Sequence, residues 1–279
     1  MTAINIKKVR DTHLCILCGT CANVCGSGAI TISFNGEYKL EFAADKCTAC
    51  GKCLAVCPGF HIHNYKKETG GAGTPRDNYY LGSFYHIYSG FSNNFLNRYR
   101  GSSGGLLTEV LLYLLENKLV DAAILTRFSA GSPLRPEGFI AQSREDIMAA
   151  VGSKYSPVPL NILLKDLDYS KKYVYVGLPC HIQGLELFLQ QQKKDSVDNF
   201  IKLGLFCSRT NRLRATKLLL KFNRIPGDTV KEIRYRGSGH PGFFTGIDHS
   251  GQEKRIYHLD ETYWGLLFKK YFVQYRCWL

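Results

Sequence analysis

Eight of the eleven cysteines fall into two copies of one spacing, Cys15-x2-Cys18-x2-Cys21-x3-Cys25 and Cys47-x2-Cys50-x2-Cys53-x3-Cys57, the second followed by Pro58. Three thiolates on a tight turn reach three irons of one cubane cluster. The fourth, displaced onto the helix that follows, points away from that cube and serves the other one. The spacing therefore predicts two [4Fe-4S] clusters with crossed ligand sets: Cys15, Cys18, Cys21 and Cys57 for the first, and Cys47, Cys50, Cys53 and Cys25 for the second. Zinc sites pair two CxxC units across a longer loop, so a triplet-plus-one repeated twice favours iron-sulfur by roughly twenty to one. Gly19 and Gly51 stand at matching places where backbone and thiolate crowd, and Pro58 ends the ligand loop by fixing φ. His61 and His63, on an alternating Phe-His-Ile-His-Asn stretch, read as solvent-facing strand residues with no metal role.

The ligands need a scaffold. Ala29 to Ile32 and Tyr38 to Phe42, flanking Asn35-Gly36, predict a β-hairpin between the repeats, giving a bacterial-ferredoxin-like module over residues 1–65. Residues 66–78 combine glycines, a proline and charge and read as a linker. Over 79–279, strand-like runs at Tyr85 to Phe91, Ala122 to Thr126, Gly138 to Ala141, Tyr173 to Val176 and Ile201 to Phe206 alternate with helical patterns, among them Leu106 to Leu115. An α/β domain is expected. Lys231 to Tyr235, Gly242 to Ile247 and Lys254 to His258 predict a small antiparallel sheet near its end, so the fold class is α+β overall.

Three loops in the second domain could meet a ligand. Arg100 to Gly105 runs into the Leu-rich helix, whose free N–H groups suit a phosphate, with Thr108 on its first turn. Gly152 to Pro157 offers Lys154 and Tyr155. Val176 to His181 leaves a strand and opens a helix, and Cys207 ends the next strand, at the strand ends where open α/β sheets collect ligands. A lone cysteine is more often an inert packing residue, so Cys180 and Cys207 carry about a one-in-four expectation of a catalytic role.

The formal charge of +13 falls to roughly +9 once two oxidised clusters of about −2 each are counted. The basic residues are dispersed and accompany no nucleic-acid-reading motif, so nucleic acid is not an expected partner. No apolar run is long enough for a membrane span, and Met1 to Leu14 lacks a secretory apolar core. The expected location is cytoplasmic, where the cysteines stay reduced.

The segments GSSGGLLTEVLLYLLENKLVDAAI, VGSKYSPVPL, VYVGLPCHIQGLELFL and LFCSRT, in this order behind the double cysteine repeat, resemble the family of beta subunits of coenzyme F420-reducing hydrogenases and F420-linked dehydrogenases. The resemblance covers about residues 12–277 and implies an iron-sulfur flavoprotein oxidoreductase with FAD in the second domain. By position it implies that Ser103, Gly104, Gly105 and Thr108, with Ser153, Lys154 and Tyr155, lie near the flavin, and that Cys180, His181 and Cys207 line its pocket. A cubane exchanges one electron and a hydride carrier two, so a flavin, able to do both, fits between them. The implied partners are a redox protein or a soluble two-electron carrier such as coenzyme F420. Two departures are present: Cys207-Ser208-Arg209-Thr210 stands where Cys-Ser-Gly is expected, placing a cation at the pocket mouth, and the chain ends at Leu279, short of a second cysteine that related sequences carry, so a truncated C-terminus is expected. Two further readings are a non-catalytic ferredoxin-type electron-transfer subunit without flavin and, from charge and clusters alone, a redox-responsive nucleic-acid binder.

Overall fold

Left-handed backbone recurs at matching places in the two cysteine repeats. Leu17 (φ +61°) and Ala49 (φ +55°) precede the second cysteine of each triplet, and Gly19 (φ +94°) and Gly51 (φ +74°) follow it. A non-glycine residue at positive φ is costly, so its appearance in both copies marks a loop shaped around its thiols. The computed structural model describes residues 5–61, 76–78, 82–192, 198–257 and 267–278. After α1 (Ile6–Asp11), each ligand loop opens a single helical turn, α2 (Thr20–Asn23) and α3 (Lys52–Ala55). Between them β1 (Ile30–Phe34) and β2 (Tyr38–Phe42) form the expected antiparallel hairpin, Ile32 facing Leu40. Ile6, Val9, Ile30 and Leu40 close its core around Cys21 and Cys57.

Most of the expected linker lies outside the described residues, as does His63; its last three residues form β3 (Arg76–Asn78), paired antiparallel with β4 (Gly82–Phe84). Tyr85 to Phe91 is not a strand but an extended connection without a ladder. Its hydrophobic run suggested one, yet Ile87, Tyr88 and Phe91 are exposed, so no sheet face recruits them. Then come α4 (Phe95–Arg100) and α5 (Leu106–Glu116), and β5 (Ala122–Ser129) and β6 (Ser132–Ala141), an antiparallel pair. After α6 (Arg144–Ala149) and a 3-10 segment (Leu160–Asp166), β7 (Tyr173–Gly177), α7 (Pro179–Gln192) and β8 (Phe200–Gly204) complete a four-stranded sheet ordered β6-β5-β7-β8, with β5, β7 and β8 parallel.

β7, inside the sheet, is buried on both faces, which is why it reads as the continuous run YVYVG. One face packs Ile124 and Tyr175 against α7 and the 3-10 segment; the other packs Leu125 and Val174 against α5 and α6. α8 (Arg214–Phe222) lays Ala215, Leu219 and Leu220 on a second, antiparallel sheet of β9 (Val230–Arg234), β10 (Phe243–Asp248) and β11 (Glu253–Tyr257). The small sheet read from the sequence is therefore present. The expected α+β mixture holds, with the ferredoxin-type module at the N-terminal end.

The two halves are bolted together. Asn161, fully buried in the 3-10 segment, donates its backbone N–H to Cys18 O (2.8 Å) and its amide to Thr20 Oγ1 (2.7 Å) and His181 O (3.0 Å). Its Oδ1 accepts from Tyr175 Oη, and its own carbonyl accepts from Asn23 Nδ2 (3.1 Å). Gly19 needs to be glycine twice over: besides its φ, a Cβ would lie 2.9 Å from Ile162 N. Gly51, its counterpart, has open space and is required by conformation alone. On the far side, the hairpin tip docks through Tyr38 Oη, which donates to Pro136 O (2.7 Å), and Glu37 Oε1, which accepts from Arg214 N–H (2.9 Å).

Candidate iron-sulfur and electron-transfer site

Folding divides the eight repeat cysteines across the repeats, not within them. Cys15, Cys18, Cys21 and Cys57 line one cavity, with Leu17, Ile32 and Leu40 around them. Cys25, Cys47, Cys50 and Cys53 line a second, with Val24, Ala29 and Phe42. Each quartet is thus three thiols of one ligand loop plus the fourth thiol of the other, an all-thiol donor set that suits a cubane. Among the described residues no three His, Cys, Asp or Glu side chains converge closely around one point. His61 is not on a strand; its Nε2 lies 3.1 Å from Leu54 O, which fixes the turn after Cys57.

The two quartets differ in environment. Cys18, Cys21 and Cys57 are buried and Cys15 is half-buried, whereas Cys50 is exposed and Cys25, Cys47 and Cys53 are half-buried. Burial pushes the Cys15 thiol up to about 11 and Cys57 up to about 12, and drives Cys21 well above its usual range. Cys50 goes the other way, lowered first by the Lys52 backbone N–H. The sulfurs already have local donors that a thiolate would use: Leu17 N–H to Cys15 Sγ (3.4 Å), and Thr20 Oγ1 beside Cys18 Sγ (3.3 Å).

Cys15 also borders a larger cleft, about 590 Å³, between the hairpin and the second domain. Arg10, His13, Phe34, Tyr38, Arg212 and Arg214 line it with Ser156 and Pro157. Its size is that of a cofactor-scale site. No single sequence segment carries it, so only the docking of the hairpin reveals it.

The candidate flavin residues divide. The first two loops do meet: Ser153 donates its N–H (2.9 Å) to Ser102 Oγ, and the two hydroxyls lie 2.8 Å apart. Ser103, Gly104 and Gly105 stand on the approach to α5, where Gly105 (φ +74°) is the N-cap. A Cβ on Gly105 would lie 2.7 Å from Asn97 O, and one on Gly104 3.1 Å from Phe91 Cβ, so the chain's own packing already demands these glycines. Thr108 is buried on the first turn of α5. Lys154 Nζ donates to Ala150 O (2.6 Å) and Gly152 O (3.0 Å), holding the end of α6, and burial of the ammonium lowers it to about 7. Tyr155 packs edge-on to Tyr235 and near Phe268 in the second core.

Cys180 and His181 open α7 at the end of β7, and Cys207 lies beyond β8. Burial raises Cys180 to about 12, with Cys18, Cys207 and Cys277 adding to the rise; Cys277 therefore joins a group that sequence spacing does not assemble. The signal was the count: eleven cysteines leave three outside the repeats. Arg209, the cation expected at the pocket mouth, donates to Lys269 O (2.7 Å) and lies over the Trp278 ring (5.5 Å), and Cys207 Sγ donates to its carbonyl (3.7 Å).

His181 is buried, and desolvation lowers it to about 4 although the Val158 backbone partly opposes this. Its ring is thus neutral at neutral pH, and its Nδ1 accepts from Leu178 N (3.5 Å). Above its ordinary 6.5 it is neutral folded or unfolded; as pH falls from 6.5 through about 4 the unfolded chain takes a proton that the folded chain refuses. Stability is lost over that window, in full on the order of 3 kcal/mol. Melting profiles of the wild type and a His181→Gln variant between pH 7 and 4 check this: the variant loses less stability across the window.

Family models for coenzyme F420 hydrogenase/dehydrogenase beta subunit match residues 87–165 (the N-terminal part) and 170–277 (the C terminus), and one for a 4Fe-4S dicluster domain matches 14–59. The chain belongs to the family of coenzyme F420 hydrogenase/dehydrogenase beta subunits. As a member of that family it carries the dicluster domain at its N-terminal end. It is 31% identical over 247 residues to the coenzyme F420-dependent sulfite reductase of Methanocaldococcus jannaschii, covering 82% of this chain and 36% of that one. It is 26% identical over 220 residues to one chain of the F(420)H(2) dehydrogenase of Methanosarcina mazei, covering 72% and 55%. A solved F420-reducing [NiFe] hydrogenase complex from Methanosarcina barkeri contains a chain with 21% identity and a TM-score of 0.46, covering 60% of this chain and 58% of that one. The chain thus spans about a third to just over half the length of these relatives. No helix among the described residues is long and apolar enough to cross a membrane.

Proposed function

We propose that this family member is an iron-sulfur oxidoreductase unit that carries electrons between two [4Fe-4S] centres and an FAD in its α/β domain, with coenzyme F420, another two-electron carrier or a partner enzyme as the ultimate substrate. Centre one is held by Cys15, Cys18, Cys21 and Cys57, and centre two by Cys47, Cys50, Cys53 and Cys25. The observation that carries the reading is the segregation of eight thiols into one buried quartet against the α/β domain and one quartet near the surface. That gradient suits a relay whose inner end faces the cofactor domain and whose outer end, at exposed Cys50, meets an external partner. The activities that the relatives are named for, an F420-dependent sulfite reductase and an F(420)H(2) dehydrogenase, support a deazaflavin carrier.

For the flavin, the meeting of the Ser102 and Ser153 loops and the free N–H groups of α5 favour the phosphate end, and the 590 Å³ cleft beside Cys15 has the room and the cations for a ring system and its charges. Bound there, a flavin would supply the two-to-one electron conversion. Anaerobic purification and reconstitution test the proposal. The expected sample holds about eight irons and one FAD per chain, and reduced F420 bleaches both chromophores. Full clusters with neither retained nor bindable flavin would sink the flavoprotein half. The second reading, an electron-transfer subunit without flavin, would then stand; the internal partners of Gly104, Gly105, Lys154 and Tyr155 favour it.

A further inference from the structure

The C-terminal segment ends over the buried cysteine quartet. Arg212 N–H donates to Phe272 O (2.8 Å) and Gln274 N–H to Thr210 O (2.8 Å), so residues 272–274 are clamped antiparallel to 210–212 through the Asn211–Val273 bridge. The helical turn Tyr275–Trp278 that follows turns Arg276 back onto the ferredoxin-type module. One nitrogen of its guanidinium, Nη1, lies 3.4 Å from where a Cβ on Gly59 would stand, two residues past Cys57. That Nη1 is buried and has no hydrogen-bond partner among the described residues. A buried cationic donor left unpaired is costly, so the packing that holds it there calls for an anion beside it.

We propose that Arg276 is the charge-compensating residue of centre one: its guanidinium, buried at Nη1, reaches the turn at Gly59 just past Cys57 and holds the potential of that centre above the value its burial would otherwise impose. The inference rests on the ligand assignment proposed above. Reducing a cubane adds one electron and no proton to a site already carrying about −2, and burial disfavours the added charge. A cation in the same low-dielectric surroundings offsets that penalty, whereas the same cation near the exposed centre two would be screened. Gly59 keeps the approach open, since any side chain there would also strike Leu14 O at 2.7 Å. Arg276 is a positioning and tuning residue, not a catalytic one.

The test is a redox titration of both centres by electron paramagnetic resonance in the reconstituted full chain, with centre two as the internal reference. With the solution poised at the wild-type midpoint of centre one, Arg276→Gln lowers its reduced-to-oxidised ratio about ten-fold, equal to about 59 mV for a one-electron couple, and leaves centre two within about two-fold. Arg276→Lys keeps the charge and shifts centre one by less than about three-fold; it carries the test alone should the Gln variant lose the centre. An unshifted centre one, an equal shift of both centres, or a Lys variant shifted ten-fold overturns the proposal while leaving the ligand assignment intact. A wild-type sample that takes up no clusters overturns both.

Discussion

Replacing Cys57 with serine is expected to empty the centre whose other three ligands belong to the opposite repeat. Iron per chain falls from about eight to about four, and the centre that survives is the exposed one. The structure gives the reason: Cys57 lines the cavity of Cys15, Cys18 and Cys21, although in sequence it closes the triplet Cys47, Cys50 and Cys53. The mirror variant, Cys25→Ser, empties the other cavity and leaves the buried centre. The two are told apart by chelator challenge under anaerobic conditions. The survivor in Cys57→Ser, with Cys50 exposed, bleaches faster than the survivor in Cys25→Ser, whose ligands are mostly buried. Uncrossed ligation predicts the reverse assignment, so the order of bleaching decides between them.

The second large effect belongs to a residue with no redox chemistry. Asn161→Leu is expected to destabilise the chain by roughly 3–5 kcal/mol, because the substitution is close in volume but strands several buried polar groups at once. Asn161 joins Thr20 and Cys18 of the ferredoxin-type module to His181 and Tyr175 of the α/β domain, with full burial around it. Thr20 Oγ1 in turn touches Cys18 Sγ, so the loss reaches centre one. Gly184 shows how tight the junction is: a Cβ there would meet Thr20 Oγ1 at 2.6 Å and Asn161 Nδ2 at 2.7 Å. Denaturant unfolding of the apo chain measures the cost, and a loss below about 1 kcal/mol would show that the amide is not the bolt. The 3-10 segment that carries Asn161 is thus as much a part of the electron-transfer architecture as the ligand loops.

Where the sequence spoke clearly, the signal was local. The cysteine spacing is set by how three thiols and a helical turn fit one cube, so the quartets, the hairpin between the repeats and the turns at Gly19 and Gly51 were legible before any coordinates. The hydrophobic runs of β5 and β7 were legible too, because parallel strands buried on both faces leave an unbroken apolar stretch. Tyr85 to Phe91 carried the same composition without a sheet to enter, and composition alone does not say which runs find a partner. The flavin loops looked like ligand loops because glycine has two uses; in Gly104 and Gly105 the close approach is to the chain's own Phe91 and Asn97.

Tertiary structure alone decided how these parts face one another. That the first quartet is buried and the second near the surface depends on α2 docking against the 3-10 segment, a contact between residues about 140 apart in sequence. The 590 Å³ cleft and the buried nitrogen of Arg276, without a partner among the described residues, both arise where distant segments meet. The proposed ligand set is written in spacing because a cubane is small and its loop is continuous. The environment of that cysteine set is written in burial and charge, which no single stretch of chain contains.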